Sequence, residues 1–238
     1  MSSENVKIYR DIARVEADLV AQLLGLAVAD LYDAFWPAVE AVGLIERTLQ
    51  PITPGLRAHG QAITAFCSPG DSLMSHCALY LARPGDIVVV CNGGVPNGAL
   101  WGGNMALDAK KLGIAGVVVD GPVRDVAFIR ELGVPTWASS ISVSKAEKIG
   151  RGSVNLPVRC GAVTVNPGDI VVADDDGVLA FSPNHIQRVV AEVRKRLQDE
   201  HPMRRRIQDG ERVFDIVGLQ EVLDSHDIEV HDGNWKKE

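Results

Sequence analysis

Between residues 60 and about 140, runs of apolar, largely β-branched residues alternate with amphipathic segments. The order is "AITAFC", "DSLMSHCALYLA", "DIVVVCN", "ALWGGNMALDAKKLG", "AGVVVDG", "DVAFIRELG" and "PTWAS". A strand that is apolar at every position, rather than at every second one, is covered on both faces. Alternating with helices, such strands predict an α/β fold. Further on the pattern shortens: "PVRCGAVTVNPGDIVVADDDGVLAF" predicts three short strands separated by Pro-Gly-Asp and Asp-Gly turns, an antiparallel meander. Helices are expected on both flanks. One lies in the N-terminal portion up to about Ala41. The other is "NHIQRVVAEVRKRLQDE", where Ile186, Val189, Val190, Val193 and Leu197 recur at helical spacing. The charged remainder predicts a C-terminal helical arm over 201–238, so the chain reads as one domain, 1–238, with its core at about 20–200.

Composition narrows the function classes. At 46% hydrophobic residues over 238 positions there is enough apolar material for a sizeable core. A net charge of −7 with no basic block argues against nucleic acid as a partner, and the one basic run, Arg204 to Arg206, is short and sits among acids. The apolar runs fall far below the roughly 20 residues that a membrane helix needs, so no membrane span is expected. With no charged start followed by an apolar stretch, the reading is a cytoplasmic protein. Cys67, Cys77, Cys91 and Cys160 show no CxxC, and neither a disulfide framework nor a thiolate zinc site is signalled; buried thiols are expected. The six histidines form no HxxxH or HxH pair.

Several acids belong to turns. Pro-Gly-Asp occurs at Pro69, Pro84 and Pro167, and before "IVV" it reads as a turn feeding a strand, which accounts for Asp86 and Asp169. Asp174, Asp175 and Asp176 before Gly177 suggest a cation site, but between two apolar runs Asp-Gly reads first as a hairpin turn.

The chemistry is expected elsewhere. Ligands of open α/β sheets bind outside the carboxyl ends of the strands. "DIVVVCN" ends in "GGVPNGALWGGN", a glycine-rich loop running into a helix start that favours an anion. "GVVVDG" is followed by Arg124 and Asp125. A guanidinium grips a carboxylate at two points, and a carboxylate gives an oxygen to Mg²⁺ or Mn²⁺, so the pair suits an oxo acid. The structural alternative is that Asp125 caps the helix "VAFIREL" while Arg124 pairs with a surface acid.

The chain resembles the 4-hydroxy-4-methyl-2-oxoglutarate and 4-carboxy-4-hydroxy-2-oxoadipate aldolases, together with their relative, the regulator of ribonuclease E activity A. The resemblance runs through "PGDSLMSHCALYLARPGDIVVV", "GALWGGNMALDAKKLGIAGVVVDGPVRDV", "GSVNLPVRCGAVTVNPGDIVVADDDGV" and "RRRIQDGE", about residues 20 to 212. It implies an α-β-β-α sandwich similar to the swivelling phosphohistidine domain, assembled as a homotrimer or homohexamer with interface active sites. It implies a class II, metal-dependent lyase of aromatic compound catabolism. Such an enzyme cleaves a 4-hydroxy-2-oxo di- or tricarboxylic acid to pyruvate plus an oxo acid, with oxaloacetate decarboxylase side activity. Carried across, Asp125 would ligate Mg²⁺ or Mn²⁺ and Arg124 would hold the pyruvyl end. The amides of Gly102, Gly103, Asn104 and Met105 would bind a substrate carboxylate, and Glu200 would complete the site from a neighbouring subunit. One position departs from the pattern: the acid that the aldolases usually carry after the first glycine of the pair is Gly103 here. Asn104 cannot replace a base. His76 is a substitute, though on a helix with apolar neighbours it also reads as a packed core residue. Lys110 and Lys111 lie on a polar helix face, which speaks against a Schiff-base aldolase. The rival reading of the resemblance is a non-enzymatic regulator that binds a ribonuclease.

Overall fold

The computed structural model describes residues 6–36, 42–45 and 49–237, the side chains of 199, 201 and 237 excepted. The chain starts with β1 (Lys7–Ile8), α1 (Ala17–Ala21) and α2 (Val28–Asp33). The N-terminal helical stretch is thus two short helices, because Gly25, at φ +81°, turns the chain between them. The remainder of that expected stretch, 37–41, lies outside the described residues. β2 (Val42–Leu44) and β3 (Gln50–Pro51) follow, and then the alternating part: β4 (Ala58–Cys67), α3 (Leu73–Leu81), β5 (Ile87–Cys91), α4 (Gly103–Leu112), β6 (Gly116–Val123), α5 (Val126–Leu132) and β7 (Thr136–Ile141). The strands of this part pair in parallel, each joined to the next through one helix. β8 (Gly152–Val154), β9 (Val158–Cys160), β10 (Val163–Val165), β11 (Ile170–Ala173) and β12 (Val178–Phe181) complete the strands.

The sheet order is β2-β12-β11-β4-β5-β6-β7-β3, with β8 antiparallel to the end of β4 and β1 parallel to β8; β9 and β10 form a sheet of their own. The mixed α/β class read from the sequence is therefore present, but the three-stranded meander is not. Gly161, at φ +56°, adds a turn inside "VRCGAV" and makes β9 and β10 a separate hairpin. β11 and β12 form the next hairpin, which joins the large sheet along β4. The Asp-Gly turn is as expected: Asp174 N–H donates to the Gly177 carbonyl. Its acids are occupied by backbone amides, Asp174 Oδ2 accepting from Val28 N and Asp175 from Gly55 N. Asp86 is more than a turn residue. It takes a two-point contact from Arg14, at 2.7 and 2.9 Å, besides the Arg83 amide.

Both faces of the parallel strands are covered. Every residue of β5 and β6 is buried. Val88, Val90, Val117 and Val119 face a core filled by Met74, Ala78, Leu79, Met105, Ala106 and Ile129 of the three crossover helices. Ile87, Val89, Cys91 and Val118 face the other way, against Val158, Cys160 and Val165 of the β9–β10 hairpin and Val171 and Val178 of the next. That is why these strands read as unbroken apolar runs: alternate side chains enter two different cores. The chain divides into two compact units, Met1–Ala191 and Glu192–Glu238. α6 (Ile186–Gln208) begins in the first and ends in the second, which also holds α7 (Val213–Ile216) and α8 (Leu219–Asp224). Among the described residues no helix is long and apolar enough to cross a membrane.

Candidate active site

The loop after β5 is laid along the end of β6 by backbone bonds. Leu100 N–H donates to the Pro122 carbonyl (2.8 Å) and Arg124 N–H to that of Trp101 (3.1 Å). This brings the start of α4 beside Arg124 and Asp125. Gly102 precedes the helix in an extended conformation, and its carbonyl accepts from Ala106 N. An α-helix leaves its first N–H groups without carbonyl partners. Here Asp125 Oδ2 accepts from Gly103 N at 3.1 Å. Asn104 N and Met105 N remain, with no acceptor recorded among the described residues.

Asp125 is the residue just before α5, yet its side chain makes no capping bond to that helix. It sits at φ +59°, ψ +35°, a left-handed conformation shared among described non-glycine residues only with Asn155. For an L-residue that costs on the order of 1–2 kcal/mol, least for Asp and Asn. The conformation aims the carboxylate back at α4. The capping alternative is thereby corrected: Asp125 serves the neighbouring helix, not its own. Arg124 Nε lies 3.5 Å from Asp125 Oδ2, with side chains 41% and 47% exposed, and so open a pair adds little stability.

A cavity of about 150 Å³ opens at this point, lined by Gly102, Gly103, Asn104, Met105, Arg124 and Asp125 together with Ser72, His76, Lys145 and Lys148. Asp125 is the single carboxylate on its wall, against three cationic side chains, so the field favours an anion of more than one charge. His76 is only partly buried rather than packed in the core, and also lines a larger adjoining groove of about 730 Å³ with Asn104 and Met105. Burial, reinforced by Lys148 and opposed by Asp108, lowers its pKa from the ordinary histidine value and so favours the neutral imidazole.

The paired glycines leave room for this arrangement. A Cβ on Gly102 would lie 3.1 Å from Asp125 Oδ2 and 3.2 Å from Arg124 Cγ. One on Gly103 would lie 2.6 Å from Phe128 Cδ1 and 3.2 Å from Asp125 Cβ. The ring of Phe128, on α5, therefore occupies the space that a side chain at position 103 would need.

Glu200 lies in the second unit, on α6, where its carboxylate accepts from Arg204 at 2.6 Å. Lys110 donates its Nζ to the Leu132 carbonyl and does not line the cavity. Sequence reasoning missed Ser72, Lys145 and Lys148. They carry no motif, and the two lysines sit in the unremarkable "SVSKAEK", brought in partly by the bridge between Lys145 and Ala99.

A mixed sheet with parallel central strands, a glycine-rich loop, a helix start and an Arg-Asp pair at one strand end define an α/β protein with a cavity whose charged side chains are mainly cationic. The chain belongs to the RraA-like family, whose model, described as Aldolase/RraA, matches residues 28–180. It is 30% identical over 199 residues to a protein of Halalkalibacterium halodurans named "Putative 4-hydroxy-4-methyl-2-oxoglutarate aldolase", covering 84% of this chain and 93% of that one. Among solved structures it is similar to Streptomyces coelicolor RraAS2, described as an unusual member of the RNase ES inhibitor RraA protein family. The TM-score is 0.72 at 29% identity, with 81% of this chain and 98% of that chain covered. The RNA-processing inhibitor RraA from Thermus thermophilis superposes with a TM-score of 0.60 at 30% identity, over 66% of this chain and 93% of that one.

Proposed function

We propose that the protein is a divalent-metal-dependent pyruvate aldolase. Its substrate is a 4-hydroxy-2-oxo di- or tricarboxylic acid such as 4-hydroxy-4-methyl-2-oxoglutarate or 4-carboxy-4-hydroxy-2-oxoadipate, and it releases pyruvate plus a second oxo acid. The observation that carries this reading is the cavity where Arg124, Asp125, the open start of α4 and two lysines converge. Asp125 fits a hard cation. Its side chain is half open, Oδ2 is engaged by Gly103 N and, among the described residues, Oδ1 has no recorded partner, and Mg²⁺ commonly takes one protein carboxylate with water and substrate oxygens for the rest. When bound there, Mg²⁺ or Mn²⁺ supplies Lewis-acid stabilisation of the enolate charge that develops during cleavage.

The chain's own groups do the rest. Arg124 holds the pyruvyl carboxylate with its planar fork, the amides of Asn104 and Met105 take a carboxylate at the helix start, and Lys145 and Lys148 hold the distal carboxylates. Neutral His76 accepts the 4-hydroxyl proton. The C3–C4 bond then breaks, C4 leaves as a carbonyl, and the electron pair passes into the pyruvate enolate, which His76 reprotonates at C3. Oxaloacetate decarboxylation passes through the same enolate with CO₂ as the leaving group. Glu200 of a neighbouring subunit completes the site in a homotrimer or homohexamer.

The second reading, a regulator that binds a ribonuclease, is favoured by the likeness to the Thermus thermophilis inhibitor. One experiment separates the two. Pyruvate release from 4-hydroxy-2-oxo acids and oxaloacetate is followed with Mg²⁺, with EDTA, and after Mg²⁺ is restored. The aldolase reading expects loss with EDTA and full recovery. No pyruvate from any of these acids, in the presence of either Mg²⁺ or Mn²⁺, favours the regulator.

A further inference from the structure

Away from the cavity, the side of the sheet that faces the hairpins carries two thiols and a carboxylate at one point. Cys91 ends β5, Asp120 is its register partner on β6, and the two side chains therefore share a face. Cys160 ends β9 and comes down onto that face from the separate hairpin. One ligating atom from each lies within 4.8 Å of the other two. All three residues are buried, Asp120 at 3% exposure.

Asp120 is the unusual member. Other buried acids are well supplied with donors: Asp86 by Arg14 and the Arg83 amide, Asp71 by the amides of Leu73, Gly150 and Arg151, Asp174 by those of Val28 and Asp176. Asp120 accepts from Gly161 N through Oδ2, at 3.0 Å, and among the described residues neither a second donor nor a cationic side chain is recorded for it. One of its carboxylate oxygens lies within 4.8 Å of both sulfurs.

We infer that Cys91, Asp120 and Cys160 form a binding site for a thiophilic divalent cation of the Zn²⁺ class, separate from the cavity at Asp125. The chemistry of the donors selects the ion: thiolate sulfur with one carboxylate oxygen suits zinc and excludes Mg²⁺. Tetrahedral zinc, with Zn–S near 2.3 Å and Zn–O near 2.1 Å, places its donors about 3.5–3.8 Å apart, so a triangle within 4.8 Å closes on the ion with small side-chain shifts. Binding releases the two thiol protons to solvent, Zn²⁺ replaces them, and a water fills the fourth position. The net charge of the cluster is unchanged, but the Asp120 oxygen gains a cation in direct contact. The structural consequence is a staple. Among the described residues β9–β10 shares no strand ladder with the large sheet, and the ion ties it to the ends of β5 and β6.

The test uses the full chain produced in cells supplied with Co²⁺ and purified in reductant without chelator. A thiolate-to-cobalt charge-transfer band in the near ultraviolet, with one ion per chain, is expected, and excess Mg²⁺ should not displace it. Cys160→Ala and, should that variant fold poorly, Cys160→Ser should lose the band, whereas Asp125→Asn should keep it. Protein made in zinc-supplied cells should melt higher than the metal-free protein, an increment absent from the Cys160 variants. Folded wild-type protein without the band would overturn the site, as would a band that survives both Cys160 variants or vanishes in Asp125→Asn. A mass lower by two hydrogens, marking a Cys91–Cys160 disulfide under the same conditions, would also overturn it.

Discussion

Asp125 illustrates how one backbone angle assigns a side chain its task. In the extended region usual for an N-cap it could cap its own helix; at φ +59° it reaches Gly103 N instead and lines the cavity. Asparagine tolerates the same angle and can still accept from Gly103 N, so Asp125→Asn should change stability by no more than about 0.5 kcal/mol. It should nevertheless abolish pyruvate release and Mg²⁺ binding, because a neutral amide is a poor ligand for a hard cation. Denaturant titration and isothermal calorimetry on the same preparation check both halves. Arg124→Lys keeps the charge and loses the fork, and kcat/KM should fall about 10²-fold, roughly 2.7 kcal/mol of transition-state stabilisation. His76 gives a pH signature. Burial lowers its folded pKa from the ordinary histidine value, so the neutral, proton-accepting form persists to lower pH, and kcat/KM should fall as pH drops through that lowered pKa. His76→Asn should remove this limb from the pH profile; a limb unchanged in the variant would assign the base to another group.

At the scale of elements, the departure at position 103 belongs to the packing of α4 against α5. Phe128 Cδ1 on α5 lies 2.6 Å from where a Cβ at 103 would stand, so a side chain there requires the ring to shift. Gly103→Asp should therefore not simply restore an acid. It should destabilise the protein by about 1–3 kcal/mol through overpacking. The double variant Gly103→Asp with Phe128→Ala should recover part of that loss, a positive coupling that urea titrations of the four proteins would measure. Additive losses would mean that the two positions do not compete for the space. The β9–β10 hairpin makes a related point: with no strand ladder to the large sheet among the described residues, it is placed by Val158, Cys160 and Val165 in the shared core and by the Gly161 amide's bond to Asp120.

For the whole molecule, the reading that borrows Glu200 from a neighbour makes catalysis depend on assembly. Sedimentation of the active protein should show a trimer or a dimer of trimers. Glu200→Gln should lower turnover without dissociating it, since Glu200 is a partly exposed group bonded only to Arg204 among the described residues and glutamine keeps its size. Full activity in a monomeric species would remove Glu200 from the site.

The sequence by itself determined the parallel strands, their crossover helices and the strand ends at which the site lies, because continuous apolar runs and the helical period are local signals of burial on two faces or one. It also singled out Gly102, Gly103, Arg124 and Asp125, since glycine pairs and an Arg-Asp doublet after a strand stand out in one dimension. It did not reveal the second hairpin at Gly161, whose short turn is hidden inside an apolar run. Nor did it show which helix Asp125 serves, a matter of one left-handed residue. Lys145, Lys148 and Ser72 entered the cavity, Phe128 claimed the space beside Gly103, and Cys91, Asp120 and Cys160 met in the core, only through tertiary structure. Contacts between segments far apart in the chain depend on where whole strands and hairpins pack, and no spacing of residues along the chain encodes that.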